Sequence, residues 1–124
     1  MQILEKEATR ETPKVILNTT TGVFAIEGKS FPENVNEFYG DILTTLNSYS
    51  QNPLSKTTLN LTWVYYNTAT SKILVKIINV LEAVLLQQKS LVINWYCKAD
   101  DELMIEKGEE FKELLNVEFN ILFI

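Results

Sequence analysis

At 124 residues and 14.2 kDa the chain is long enough for one domain with its own core, without disulfides or metals to hold it. Its 46% hydrophobic and 22% charged residues are the balance of a globular protein, not of a disordered one. A net charge of -5, with the basic residues scattered, excludes the basic stripe that a nucleic-acid surface needs.

Gln2 to Glu7 and Lys14 to Asn18 read as short strands separated by the polar Ala8 to Pro13. The opening segment has acidic residues and no long apolar run, so it does not read as a secretory signal. Asn18 to Gly22 predicts a hairpin turn into a strand over Val23 to Gly28. The loop Gly28 to Asn34 follows, with Asn34 or Ser30 as candidate cap for the next helix. In that helix Val35, Phe38, Tyr39, Ile42, Leu43, Leu46 and Tyr49 recur at three and four, an apolar stripe that packs on a sheet. Ser50 to Pro53 ends it.

Leu59, Leu61, Trp63 and Tyr65 then alternate with Asn60, Thr62 and Val64, which predicts a strand with one face in the core. From Ile73 the period changes, and Leu74, Ile77, Ile78, Leu81, Val84 and Leu85 form the apolar side of a helix. Lys76, Asn79 and Glu82 interrupt that helix, so it is no membrane span. The near-continuous apolar run Leu91 to Cys97 predicts a strand covered on both faces. Cys97 within it reads as a small core residue of a reducing compartment, hence a cytoplasmic chain. Lys98 to Asp101 leads into a last helix carrying Met104, Phe111, Leu114 and Leu115, in which Gly108 marks a close approach to a neighbouring element. Val117 to Ile124 makes a final strand. Hairpin-like strands followed by alternating strands and helices predict one α/β domain over residues 1–124, a single mixed β-sheet flanked by about three helices. Loops at the carboxyl ends of its parallel strands share one functional rim.

The chain has no histidine and a single cysteine, so no zinc set and no nucleophile with its base can be assembled. Neither an enzyme nor a cofactor or metal site is expected. Asp100, Asp101, Glu102 and Glu106 read as a helix cap with a solvated first turn rather than as metal or acid–base carboxylates. Trp63, Trp95, Tyr65 and Tyr96 read as core aromatics rather than as a stacking platform. The turn Asn67-Thr-Ala-Thr-Ser-Lys72 is the stretch where function is expected. A helix N-terminus leaves its first N–H groups unpaired and carries a partial positive charge. A hydroxyl held there either caps the helix, the commoner role, or carries a phosphate that those N–H groups receive.

The pieces Glu11-Thr-Pro13, Ile26-Glu-Gly-Lys-Ser-Phe-Pro-Glu-Asn34 with Glu37-Phe-Tyr39, Tyr65-Tyr-Asn-Thr-Ala-Thr-Ser-Lys72, Asn94-Trp-Tyr96 with Asp100-Asp101, and Glu106-Lys-Gly-Glu-Glu-Phe111 span nearly the whole chain. In that order they resemble the SiaC family of bacterial regulatory phosphoproteins. The resemblance implies a fold similar to the STAS-like anti-sigma-factor antagonists and a partner-switching role. In the family a cognate Ser/Thr kinase phosphorylates a threonine and a PP2C-type phosphatase removes the phosphate. The unphosphorylated form binds and stimulates a diguanylate cyclase, an enzyme of c-di-GMP signalling.

The family's modified threonine follows an asparagine at the end of the central strand, and here that position is Thr68. Where the family usually has Asn-Thr-Ser-Ser, this chain has Asn67-Thr68-Ala69-Thr70, which makes Thr70 and Ser71 rivals for the modification or the cap. Asn67 and Lys72 are expected to support the phosphate, and Ser30, Phe31 and Glu33 to line the partner surface. Phe31 reads equally well as a staple that packs before the helix. The alternative function is an unmodified STAS-type interaction module, in which Thr68→Ala and Thr68→Asp bind the partner alike.

Overall fold

In the computed structural model, which describes residues 3–124, the period-two runs build six strands and the three-and-four runs build three α-helices. β1 (Ile3–Lys6), β2 (Lys14–Asn18) and β3 (Val23–Ser30) form an antiparallel meander. Gln2, the expected start of β1, lies outside the described residues. The chain then runs through α1 (Val35–Gln51), β4 (Lys56–Tyr66), α2 (Thr68–Glu82), β5 (Ser90–Cys97), α3 (Glu102–Leu114) and β6 (Glu118–Phe123). From β3 to β6 every pairing is parallel, and the strands lie side by side in chain order. Each parallel step needs a helix to carry the chain back to the same end, so the carboxyl ends of β3, β4 and β5 come together on one rim. The α/β class and the single mixed sheet are as expected.

The core lies between the helices and one face of the sheet, where Leu17, Phe24, Ile26, Leu59, Leu61, Ile93 and Trp95 are fully buried. β5 departs from its expected burial on both faces, because Val92, Asn94 and Tyr96 are only half-buried. On that second face the Asn94 amide donates to Asn60 Oδ1 at 2.9 Å and the Asn120 amide to Asn94 Oδ1 at 3.1 Å. This asparagine ladder spans three parallel strands and gives each central polar side chain a partner.

β3 runs two residues beyond its expected end at Gly28, and its pairing with β4 is irregular there. Gly28 opposes Trp63 while Lys29 opposes Tyr65, which leaves Val64 as an extra residue in β4. The bulge inverts the alternation that follows it. Trp63 and Tyr66 are buried, whereas Val64 and Tyr65 are 59% and 47% exposed. Tyr65, expected in the core, therefore lies on the surface. Gly28 has φ +120, a backbone state that glycine adopts without the steric cost of a Cβ.

Asp101 caps α3 by accepting from the Met104 amide at 3.1 Å. The helix then lies directly on Trp95, whose Nε1–H donates to the Met104 carbonyl at 3.1 Å. A Cβ at Gly108 would stand 2.7 Å from both Cδ1 and Nε1 of that indole, so the expected close approach is present. Cys97 is buried, and desolvation, with the charge of Asp101, pushes its thiol pKa up. No helix among the described residues is long and apolar enough to cross a membrane.

Candidate functional site

α2 begins at Thr68, five residues before the apolar period sets in at Ile73, because Asn67 caps it. Asn67 is extended, with φ -91 and ψ 175, and its side chain accepts from the Thr70 amide at 2.9 Å. Its own amide donates to the Ser30 carbonyl at 3.1 Å, and its carbonyl accepts from the Ser71 amide at 3.1 Å. The cap is thus tied both to its helix and to the end of β3. Asn67 orders the turn as an N-cap, and Asn34 does the same for α1 by accepting from the Glu37 amide at 3.1 Å.

The hydroxyls after Asn67 have different fates. Thr70 is fully buried, and its Oγ1 donates to the Ser30 carbonyl at 3.1 Å. That Oγ1 also lies 2.9 Å from Ser30 Oγ, which in turn lies 2.7 Å from the Tyr39 hydroxyl. One proton arrangement satisfies all three groups: Tyr39 donates to Ser30, Ser30 to Thr70, and Thr70 to the Ser30 carbonyl. Burial pushes the Tyr39 phenol up to about 12 while the Ser30 bond pulls the other way, so the phenol remains a proton donor at neutral pH. Ser71 is half-buried and donates to the Thr68 carbonyl at 2.7 Å. Thr68 is exposed.

Two expectations are corrected by this network. The Thr70 hydroxyl, expected as a rival to Thr68, is sealed in the interior and already shared. Ser30, expected on the partner surface, is fully buried in the same network and has no surface to offer. Thr70→Val keeps the shape but removes the hydroxyl, leaving Ser30 without an acceptor for its proton. A stability loss of about 1–2 kcal/mol is expected, read as a lower denaturant midpoint, with Thr70→Ser retaining most of it.

A cavity of about 430 Å³ opens beside Thr68, between the start of α2 and the face of α3. Tyr66, Thr68, Lys72, Lys107, Glu110 and Phe111 are among the residues that line it. The Lys107 ammonium lies over the Tyr66 ring, 4.4 Å from its centroid. Burial, with the neighbouring Glu110 charge, holds the Tyr66 phenol well above its ordinary range. The Phe31 loop meets the same end of β4. Phe31 is half-buried, with its ring edge-on to Tyr65 at 5.9 Å between centroids, and Glu33 beside it is exposed.

The family model described as SiaC family regulatory phosphoprotein matches residues 6–124. The chain belongs to the SiaC family. An uncharacterised protein of Pseudomonas aeruginosa strain UCBPP-PA14 is 27% identical over 124 residues, covering 98% of this chain and 96% of that protein. Apo-SiaC from Pseudomonas aeruginosa has the same fold, with a TM-score of 0.88 at 25% identity over 98% of this chain and 99% of that one. A chain in the crystal structure of the diguanylate cyclase SiaD in complex with its activator SiaC, from the same organism, matches with a TM-score of 0.91 at 25% identity and the same coverage.

Within this SiaC family fold, Thr68, Asn67 and Lys72 adjoin one cavity, while Phe31 and Glu33 lie on the rim that includes Tyr65. Lys107 was missed by sequence reasoning. It belongs to the Glu106 to Phe111 stretch that carries part of the SiaC resemblance, yet nothing in its spacing ties α3 to the Thr68 turn. Its one local signal is Gly108 beside it, which lets α3 approach the sheet closely enough to wall the cavity.

Proposed function

We propose that this SiaC family chain is a non-enzymatic regulator that binds and stimulates a diguanylate cyclase while Thr68 is unmodified. A cognate Ser/Thr kinase phosphorylates Thr68 and weakens that docking, and a PP2C-type phosphatase restores it. The observation that carries this reading is the position of Thr68. It is an exposed hydroxyl on the first residue of α2, where the Thr68 and Ala69 amides are not taken by the Asn67 cap and the neighbouring hydroxyls are engaged elsewhere. A phosphate there adds nearly two negative charges and three strong acceptors without any change of fold. The family's description as regulatory phosphoproteins supports the modification, and the relative's complex with a cyclase supports the class of partner.

The test combines intact-mass measurement with cyclase pull-down for protein purified with and without the kinase. Wild type is expected to gain one phosphate and lose the cyclase, while Thr68→Ala gains none and keeps it. A phosphate that arrives at another residue, or equal capture of the modified and unmodified chains, overturns the switch; equal capture leaves a constitutive interaction module. On the same rim, Phe31→Ala is expected to weaken cyclase binding about tenfold. Its melting temperature is expected to fall by only a few degrees, because the Phe31 side chain is only half-buried and packs edge-on against the exposed Tyr65.

A further inference from the structure

The cavity beside Thr68 holds two lysines whose charges have no carboxylate partner. Lys72 comes from the start of α2 and Lys107 from the middle of α3. Among the described residues the ion pair formed is that of Lys6 with Asp41. Glu110 also lines the cavity, one turn beyond Lys107, without reaching either ammonium. A lysine on a helix surface ordinarily carries its ammonium outward into water. Lys107 instead lays it over Tyr66, on the inner side of the cleft.

The cavity of about 430 Å³ has room for a phosphate and attendant water. The groups facing such a phosphate are Lys72 from α2, Lys107 and Glu110 from α3, and the phenols of Tyr65 and Tyr66 from β4. Two cations against one carboxylate leave the cleft with a net positive charge.

We propose that a phosphate on Thr68 docks into this cleft and bridges α2 to α3 through Lys107, with Lys72 and the uncapped first amides of α2, those of Thr68 and Ala69, as its other ligands. The proposal rests on the Thr68 reading above and extends it: the phosphate both adds charge at the rim and enters the cavity, joining two helices that are otherwise separated there. Lys107 is the positioning residue that receives it.

The test uses the full chain with phosphothreonine encoded at position 68, so that it does not depend on the kinase. Phosphorus NMR reads the second ionisation of the phosphate, ordinarily near pH 6. Nearby cations favour the dianion, so the folded protein is expected to titrate at least about half a unit lower than a peptide of residues 65–75. Lys107→Gln returns most of that shift, Lys107→Arg keeps it, and Lys112→Gln, on α3 outside the cavity, leaves it unchanged. Lys107→Met preserves the stem over Tyr66 and serves where the glutamine variant melts early. A Lys107→Gln titration that overlays wild type, or an equal response to Lys112→Gln, overturns the bridge. Cyclase binding separates the two proposals. Binding lost on phosphorylation with a flat titration response sinks the bridge alone, and binding unaffected by phosphate with the bridge intact sinks the docking switch alone.

Discussion

Stoichiometric phosphorylation of Thr68 is expected to weaken cyclase binding by about a hundredfold, measured by calorimetric titration at physiological salt. That ratio corresponds to about 3 kcal/mol. One expected contribution is repulsion between the phosphate and an acidic partner surface, the kind that a cleft lined by Lys72 and Lys107 would attract. The other is the desolvation of a dianion at an interface, which costs more than the desolvation of a hydroxyl. The two respond differently to salt: the repulsion fades as screening rises, and the desolvation cost does not. Thr68→Ala is expected to bind like wild type, because the cap of α2 is the Asn67 side chain and the hydroxyl of Thr68 supports no part of the fold. Thr68→Asp reproduces only part of the loss, since a carboxylate brings one charge and two acceptor oxygens. Equal affinity for the phosphorylated and unmodified chains would remove the switch.

The parts of this site that the sequence reveals are those set by local chemistry. Asp101 is recognisable as a cap because a short polar side chain directly before an apolar period has one common use, whereas Asn67 stands well ahead of the period that begins at Ile73 and its capping role emerges only from the structure. Helix α1 is legible in full, since Tyr39, Ile42, Leu46 and Tyr49 recur at helical spacing and are all buried. The misreadings come from positions decided by distant partners. Thr70 and Thr68 look alike in the chain, and what separates them is a hydrogen bond from Thr70 to Ser30, forty residues away. Alternation alone places Tyr65 in the core, and one extra residue opposite the Gly28 step turns it outward. The polar centre of β5 is explained by asparagines on two other strands. Lys107 joins the site only because α3 packs against the sheet beside α2. A single period or motif carries no record of such neighbours.

Gly108→Val is expected to destabilise the fold by about 3–4 kcal/mol and Gly108→Ala by about 2 kcal/mol, against the ordinary rule for helices. In an open helix interior the alanine change gains about 1 kcal/mol, because glycine has more backbone freedom to lose. Here the new Cβ would meet Trp95 at 2.7 Å, and the obstacle is the pyrrole edge of a fully buried indole rather than the free end of a flexible chain. Trp95 is hemmed in by Tyr66, Phe111 and Phe119, so the ring has no vacant direction in which to move. If α3 lifts instead, the Trp95 bond to the Met104 carbonyl is lost and a buried N–H is left unpaired. Valine adds a second branch to the clash and a further helix penalty. Thermal melts should fall by roughly ten degrees for the valine variant. The decisive comparison is a double-mutant cycle with Trp95→Phe, which removes the pyrrole edge. If the clash is the cause, Gly108→Ala becomes neutral or stabilising in that background. If its cost is undiminished there, the close approach of α3 to Trp95 is not what requires glycine at this position.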